Sequence, residues 1–125
     1  MTITKLIPLA TQNPTLDESH VDLWQFSLEH ELNNAQQLLN ADERTRGARF
    51  YFSRHRRRFC TARATMRIIL ARYLDCAPED LEFTYNDYGK PDVINTKSLQ
   101  FNISHSADLA LLAVGMNHPM GVDIE

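Results

Sequence analysis

Near the end of the chain the run MGVDIE alternates, so that Val122 and Ile124 take one face of a predicted strand and Asp123 and Glu125 the other. At a rise of roughly 3.3 Å per residue, the two acidic Cα atoms stand about 7 Å apart. Such a pair repels itself unless a cation intervenes. Mg2+ suits it, because this ion is commonly held by one or two carboxylates together with phosphate oxygens and water. The same alternation also describes ordinary solvated charges on an exposed strand face. Upstream, His105 lies between Ser104 and Ser106 at a predicted strand end, where an imidazole flanked by hydroxyls can donate to a phosphate. Lys90, between Gly89 and Pro91, is a second point charge of the same use. Each of these two residues also reads as a plain solvent-facing turn residue.

Charge is distributed unevenly. The net charge is -3, yet every arginine (Arg44, Arg46, Arg49, Arg54, Arg56, Arg57, Arg58, Arg63, Arg67 and Arg72) falls between positions 44 and 72, a stretch with no Asp or Glu. A positive block of this kind is either solvated or faces an anion, such as a multiply phosphorylated ligand or a nucleic acid.

Several elements must position these groups. Val21 to Leu28 reads as a strand, with Trp24, Phe26 and Leu28 at alternate positions. Helical spacing of Leu32, Ala35, Leu38 and Leu39 predicts a helix over 29–39, and a second short one follows over 41–50 with Asn40 as its cap. The clearest helix runs from a cap at Ser53 to about Leu74, burying a single stripe of Phe59, Ala62, Met66, Ile69, Leu70 and Tyr73 while arginines cover the rest. Arginines in its first turns oppose the macrodipole, a conflict that a bound anion would remove. A helical turn after Pro78 leads to LEFTY, and NDYGKP reads as a loop. LQFNIS and LALLAVG form a predicted hairpin around residues 105–108, and MGVDIE supplies a third strand. The fold class is α+β: a small antiparallel sheet packed on a long helix. Residues 1–20 are expected as a lead-in and 21–125 as the folded unit.

In order along the chain stand ERTRGARF, the arginine-rich helix with RRRF, YGKP, FNISHS and GVDIE. This succession, spanning roughly Val21 to Glu125, resembles the 4'-phosphopantetheinyl transferase superfamily, in its larger two-lobed type acting on carrier proteins. The resemblance implies one lobe, the N-terminal one, of a pseudo-twofold fold, with the C-terminal lobe absent here. It implies transfer of the phosphopantetheine arm of coenzyme A to a serine of an acyl or peptidyl carrier protein. Asp123 and Glu125 then match the Mg2+ carboxylates, with Asp123 also near the pyrophosphate. Ser104 and His105 match a pair contacting the coenzyme, and Tyr88, Gly89 and Lys90 match the loop beside adenine and ribose. Arg46 and Arg58 match basic positions gripping the 3'-phosphate. The family's general base is expected in the other lobe, together with the glutamate completing the metal site. A lone N-terminal lobe would expose an apolar face and self-associate, or pair with the second lobe as a separate chain.

Composition agrees with a water-soluble folded domain of one core: 125 residues, 43% hydrophobic and 23% charged. The opening carries no secretory h-region, and no stretch has the roughly 20 apolar residues of a membrane helix, so a cytoplasmic protein without a membrane partner is expected. Cys60 and Cys76 lack the close spacing of a zinc site. Two other readings remain: a noncatalytic carrier-protein or coenzyme A binding fragment, and a small basic RNA-binding module, although nucleic acid gives no role to FNISHS or to Asp123 and Glu125.

Overall fold

In the computed structural model, which describes residues 3–30 and 32–116, the chain runs β1 (Ile3–Leu6), β2 (His20–Ser27), α1 (Ala35–Leu38), α2 (Ala41–Ala48), α3 (Ser53–Leu74), a 3-10 turn (Pro78–Asp80), β3 (Phe83–Tyr85), β4 (Pro91–Val93), β5 (Leu99–Ser106) and β6 (Leu109–Met116). The α+β class is borne out. The main sheet has the order β1-β2-β6-β5, while β3 and β4 form a separate two-stranded ribbon. The third antiparallel strand expected over MGVDIE lies outside the described residues.

Alternation along β2, β5 and β6 turns Trp24, Phe26, Phe101, Leu112 and Val114 toward α3, where they pack on Met66, Ile69, Leu70 and Tyr73. Each large apolar side chain removed from water in this way contributes about 1.5–3 kcal/mol. The layer also contains polar atoms. Tyr73 donates to Asp22 Oδ2 at 2.7 Å and accepts from Trp24 Nε1 at 2.7 Å, which gives each buried polar group a partner.

Several expectations need correction. The opening segment is more than a lead-in, because Ile3–Leu6 pairs in parallel with β2, and Arg72 of α3 donates to the carbonyls of Leu9 (2.7 Å) and Thr11 (3.0 Å). The sheet is therefore mixed. The helix expected over 29–39 shrinks to four residues, since the poor helix formers Asn33 and Asn34 precede it and Leu39 is already extended. Its apolar residues are still covered: Ala35, Leu38 and Leu39 pack with Cys60 and Ala64 on a second side of α3. Phe59 belongs to that second cluster and not to the main stripe. Ser53 is the first helical residue of α3, Phe52 holds the cap position, and no side chain caps the helix.

The cap at Asn40 is as expected and fuller. Asn40 Oδ1 accepts the Glu43 amide at 2.8 Å and Glu43 Oε1 accepts the Asn40 amide at 3.0 Å, a reciprocal capping box. Gly47 lets α2 approach α3 closely, for a Cβ there would meet Cys60 Sγ at 3.0 Å and the Phe59 ring at 3.2 Å.

Candidate functional site

β5 and α3 together build the cavity at the centre of the candidate site. On α3, residues 55, 58, 59, 62 and 63 recur at helical spacing and so share a face. Across from them, Ile103 and His105 of β5 project from the same side of the sheet as the core residues Leu112 and Ala110, to which they are paired. Between the two elements lies a cavity of about 450 Å3 lined by the apolar side chains of Leu28, Phe50, Phe59 and Ile103 and by His55, Arg58, Arg63 and His105. Arg58 and His105, matched to a phosphate-bearing ligand from separate motifs, thus line one cavity.

His105 does not end its strand. The turn is only two residues long, with Ala107 in the left-handed region at φ 52, so β5 extends to Ser106 and His105 stands opposite Ala110. Ser104, one residue away, faces the other side of the sheet, and its Oγ is buried without a hydrogen-bond partner. The pair is adjacent in sequence but divided by the strand.

Tyr88, Gly89 and Lys90 sit at the tip of the β3–β4 hairpin. Asn86 Oδ1 accepts the amides of both Tyr88 and Lys90 at 2.9 Å, Gly89 takes φ 80, and its amide donates to Asn86 O at 3.0 Å. Only a residue without Cβ adopts that backbone freely. These residues and Phe101, Asn102 and Ile103 line a second cavity of about 220 Å3, so Ile103 borders both. The Tyr88 ring is almost fully exposed.

The arginines divide into two groups. Arg67 is wholly buried: its Nη2 lies 2.7 Å from Glu43 Oε1, and its Nη1 donates to the carbonyls of Pro78 (2.9 Å) and Leu81 (3.0 Å). Arg63 donates to the Tyr85 hydroxyl at 2.7 Å and lies 3.7 Å from Glu43 Oε2. The expectation that arginines cover only the outside of α3 is therefore wrong for these two, because Glu43, reached from α2, compensates them inside. Arg46 donates to Asp42 at 2.8 Å and stacks over Tyr85 at 4.1 Å; the Asp42 hydrogen bond raises its already high pKa. It lies outside the cavity lined by Arg58 and His105, to which Tyr85 and then Arg63 connect it.

Glu29 follows Leu28, and Asp108 follows Ala107, both lining residues of the cavity. The hydrogen bond between their carboxyls, then the Asp108 charge, raises the Glu29 pKa, while the same hydrogen bond lowers that of Asp108. Among the described residues no group of three or more His, Cys, Asp or Glu could hold a metal ion. Asp123 and Glu125 lie outside the described residues.

Sequence reasoning missed His55, Arg63 and the Asn86 clamp. The shared helical face with Arg58 could have found the first two. Among the described residues no helix is long and apolar enough to cross a membrane.

Residues 22–117 match the family model described as 4'-phosphopantetheinyl transferase, N-terminal. The chain belongs to the 4'-phosphopantetheinyl transferase family. It is 41% identical over 119 residues to the 4'-phosphopantetheinyl transferase HetI of Nostoc sp., covering 90% of this chain and 50% of that protein. A putative 4'-phosphopantetheinyl transferase of Synechocystis sp. is 39% identical over 92 residues, 72% of this chain and 37% of the relative. For the 4'-phosphopantetheinyl transferase Sfp of Bacillus subtilis the figures are 29% over 87 residues, 70% and 38%. The chain thus spans half or less of the length of these curated relatives.

Proposed function

We propose that this chain forms the coenzyme A-binding lobe of an enzyme that transfers 4'-phosphopantetheine from coenzyme A to a serine of an acyl or peptidyl carrier protein. The observation that carries this reading is the cavity shared by Arg58 and His105, with the Tyr88–Lys90 turn adjoining it across Ile103. Coenzyme A is charged at its 3'-phosphate and pyrophosphate, and the guanidinium, imidazole and ammonium donors of Arg58, His105 and Lys90 beside apolar side chains suit such a ligand.

In the reaction the serine oxygen forms a bond to the phosphorus that carries the pantetheine arm. The bond from that phosphorus to the bridging pyrophosphate oxygen breaks, adenosine 3',5'-bisphosphate leaves, and the serine proton passes to a base. Arg58 and His105 donate to phosphate oxygens, Lys90 adds charge at the turn, and the Tyr88 ring and Gly89 backbone flank the nucleoside. Arg46 serves the 3'-phosphate with the guanidinium nitrogens that Asp42 leaves. Ser104 offers its unpartnered Oγ to a ligand that passes the β5 edge. Mg2+ belongs to the proposal through Asp123 and Glu125, where it would neutralise the pyrophosphate.

Calorimetry of this chain with coenzyme A and with dephospho-coenzyme A, with and without Mg2+, tests the reading. Weaker binding of the dephospho form, and loss of the Mg2+ effect in Asp123→Ala, are the expected results. Equal affinity for both forms, unaffected by Arg58→Ala and His105→Ala, would overturn it. Carrier-protein binding without coenzyme binding would favour the noncatalytic alternative. An RNA-binding surface is disfavoured because Arg63 and Arg67, two members of the arginine block, are buried and ion-paired with Glu43 inside the fold.

A further inference from the structure

On the far side of α3 from the cavity that Arg58 and His105 share lies a separate one of about 340 Å3, lined among others by Ser53, Arg56, Arg57 and Thr61 of α3 and by Arg44 and Gly47 of α2. With about 100° of rotation per residue, positions 56, 57, 60 and 61 turn away from 55, 58, 59 and 62, so the two cavities occupy different faces of the helix. Among the described residues no Asp or Glu lines it.

We propose that this cavity between α2 and α3 is a binding site for a small phosphate-class oxyanion, distinct from the coenzyme site. Three arginines line it together with Ser53, the first residue of a 22-residue helix that has neither a side-chain cap nor an acidic residue in its first turn. The partial positive charge there, equivalent to about half an elementary charge, adds to theirs instead of offsetting it. Arg44 donates through Nε to Gln36 O at 2.9 Å, and Arg56 through Nη1 to the carbonyls of Phe50 (2.7 Å) and Tyr51 (2.9 Å). These bonds anchor both side chains while leaving their other nitrogens for a ligand. Arg57 is exposed and has no ion pair among the described residues.

A second, independent observation is Thr61. It is 3% exposed, lines this cavity, and its Oγ1 is buried without a hydrogen-bond partner. A hydroxyl so placed gains a partner when an oxyanion enters, donating one hydrogen bond beside the arginine forks. The walls are pre-formed, since Gly47 holds α2 against Cys60 and Phe59.

The test is a titration of the full chain with sodium phosphate, and separately with coenzyme A, at ionic strength held constant with chloride. Backbone amide shifts of Ser53 to Arg57 and the melting temperature are the readouts. Saturable shifts with phosphate, weakened roughly tenfold in Arg57→Gln and again in Thr61→Val, are expected. Arg57 supports no contact that folding needs, and Thr61→Val removes only the unpartnered oxygen, so both variants should fold; Thr61→Val should melt no lower than the parent in chloride. A linear, unsaturated response equal to that of chloride, or saturation unchanged in both variants, would overturn the site. Shifts of these amides by coenzyme A but not by phosphate would assign the cavity to the coenzyme and overturn the separate site.

Discussion

Glu43 and Arg67 meet at 2.7 Å with neither side chain exposed, and the contact ties the cap of α2 to the middle of α3. The same carboxylate oxygen accepts the Asn40 amide, and the same guanidinium holds the carbonyls around the 3-10 turn. Breaking such a buried pair from one side leaves an uncompensated charge, so Arg67→Ala and Glu43→Ala should each lose about 3–5 kcal/mol in urea unfolding. Replacing both together by Met and Leu should cost distinctly less. A double variant as unstable as the sum of the two singles would contradict the pairing.

Alkaline pH should weaken the core through Tyr73. Burial, and then the hydrogen bond to Asp22, raise its pKa above the ordinary phenol value of about 10. A group whose folded pKa is raised gives stability that is complete below the unfolded value and is lost as pH climbs from there toward the folded one. Stability should therefore fall above about pH 10, by up to about 1.4 kcal/mol per pH unit for this group. Tyr73→Phe should remove that limb. It should also cost about 1–3 kcal/mol at neutral pH, because Asp22 and Trp24 lose a partner. The check is chemical denaturation from pH 8 upward.

The α2–α3 contact should respond to a single methyl group. Gly47→Ala improves helix propensity by about 1 kcal/mol, yet the new Cβ would crowd Cys60 Sγ at 3.0 Å and the Phe59 ring at 3.2 Å. Overpacking commonly costs about 1–3 kcal/mol, so a net loss is expected. Adding Cys60→Ala should recover part of it, and a thermodynamic cycle measures the coupling. Strict additivity would mean the sulfur is not the obstacle.

For ligand binding, the two neighbours on β5 should behave differently. His105→Ala should lower affinity for coenzyme A roughly tenfold or more, since a charge-assisted hydrogen bond is worth about 1.5–3 kcal/mol. Ser104→Ala should have the smaller effect and should not destabilise the fold, because the Oγ it removes has no partner in the free protein. Calorimetry and melting curves on both variants separate these outcomes.

Periodicity made much of this architecture legible. Trp24, Phe26 and Leu28 announced β2, the two apolar runs announced the β5–β6 hairpin, and Asn40 announced α2. These signals are local, as were the motifs that brought Arg58 and His105 to one cavity. What could not be read depends on distant partners. Arg67 looked like surface because its counter-ion stands 24 positions away on another helix. Ile3–Leu6 looked like a lead-in because a four-residue edge strand gains its identity from the strand beside it. The reach of β5 past His105 was hidden because the turn rests on Ala107, which carries no glycine or asparagine signal for a left-handed backbone.

The hold of Asn86 on the Tyr88 and Lys90 amides also bears on recognition. A loop frozen by its own side chain forfeits its freedom during folding, so a ligand arriving there finds the entropy loss already incurred and keeps more of its contact energy as affinity. In the proposed coenzyme site the tip of the β3–β4 hairpin would then act as a cast mould and not as a closing flap.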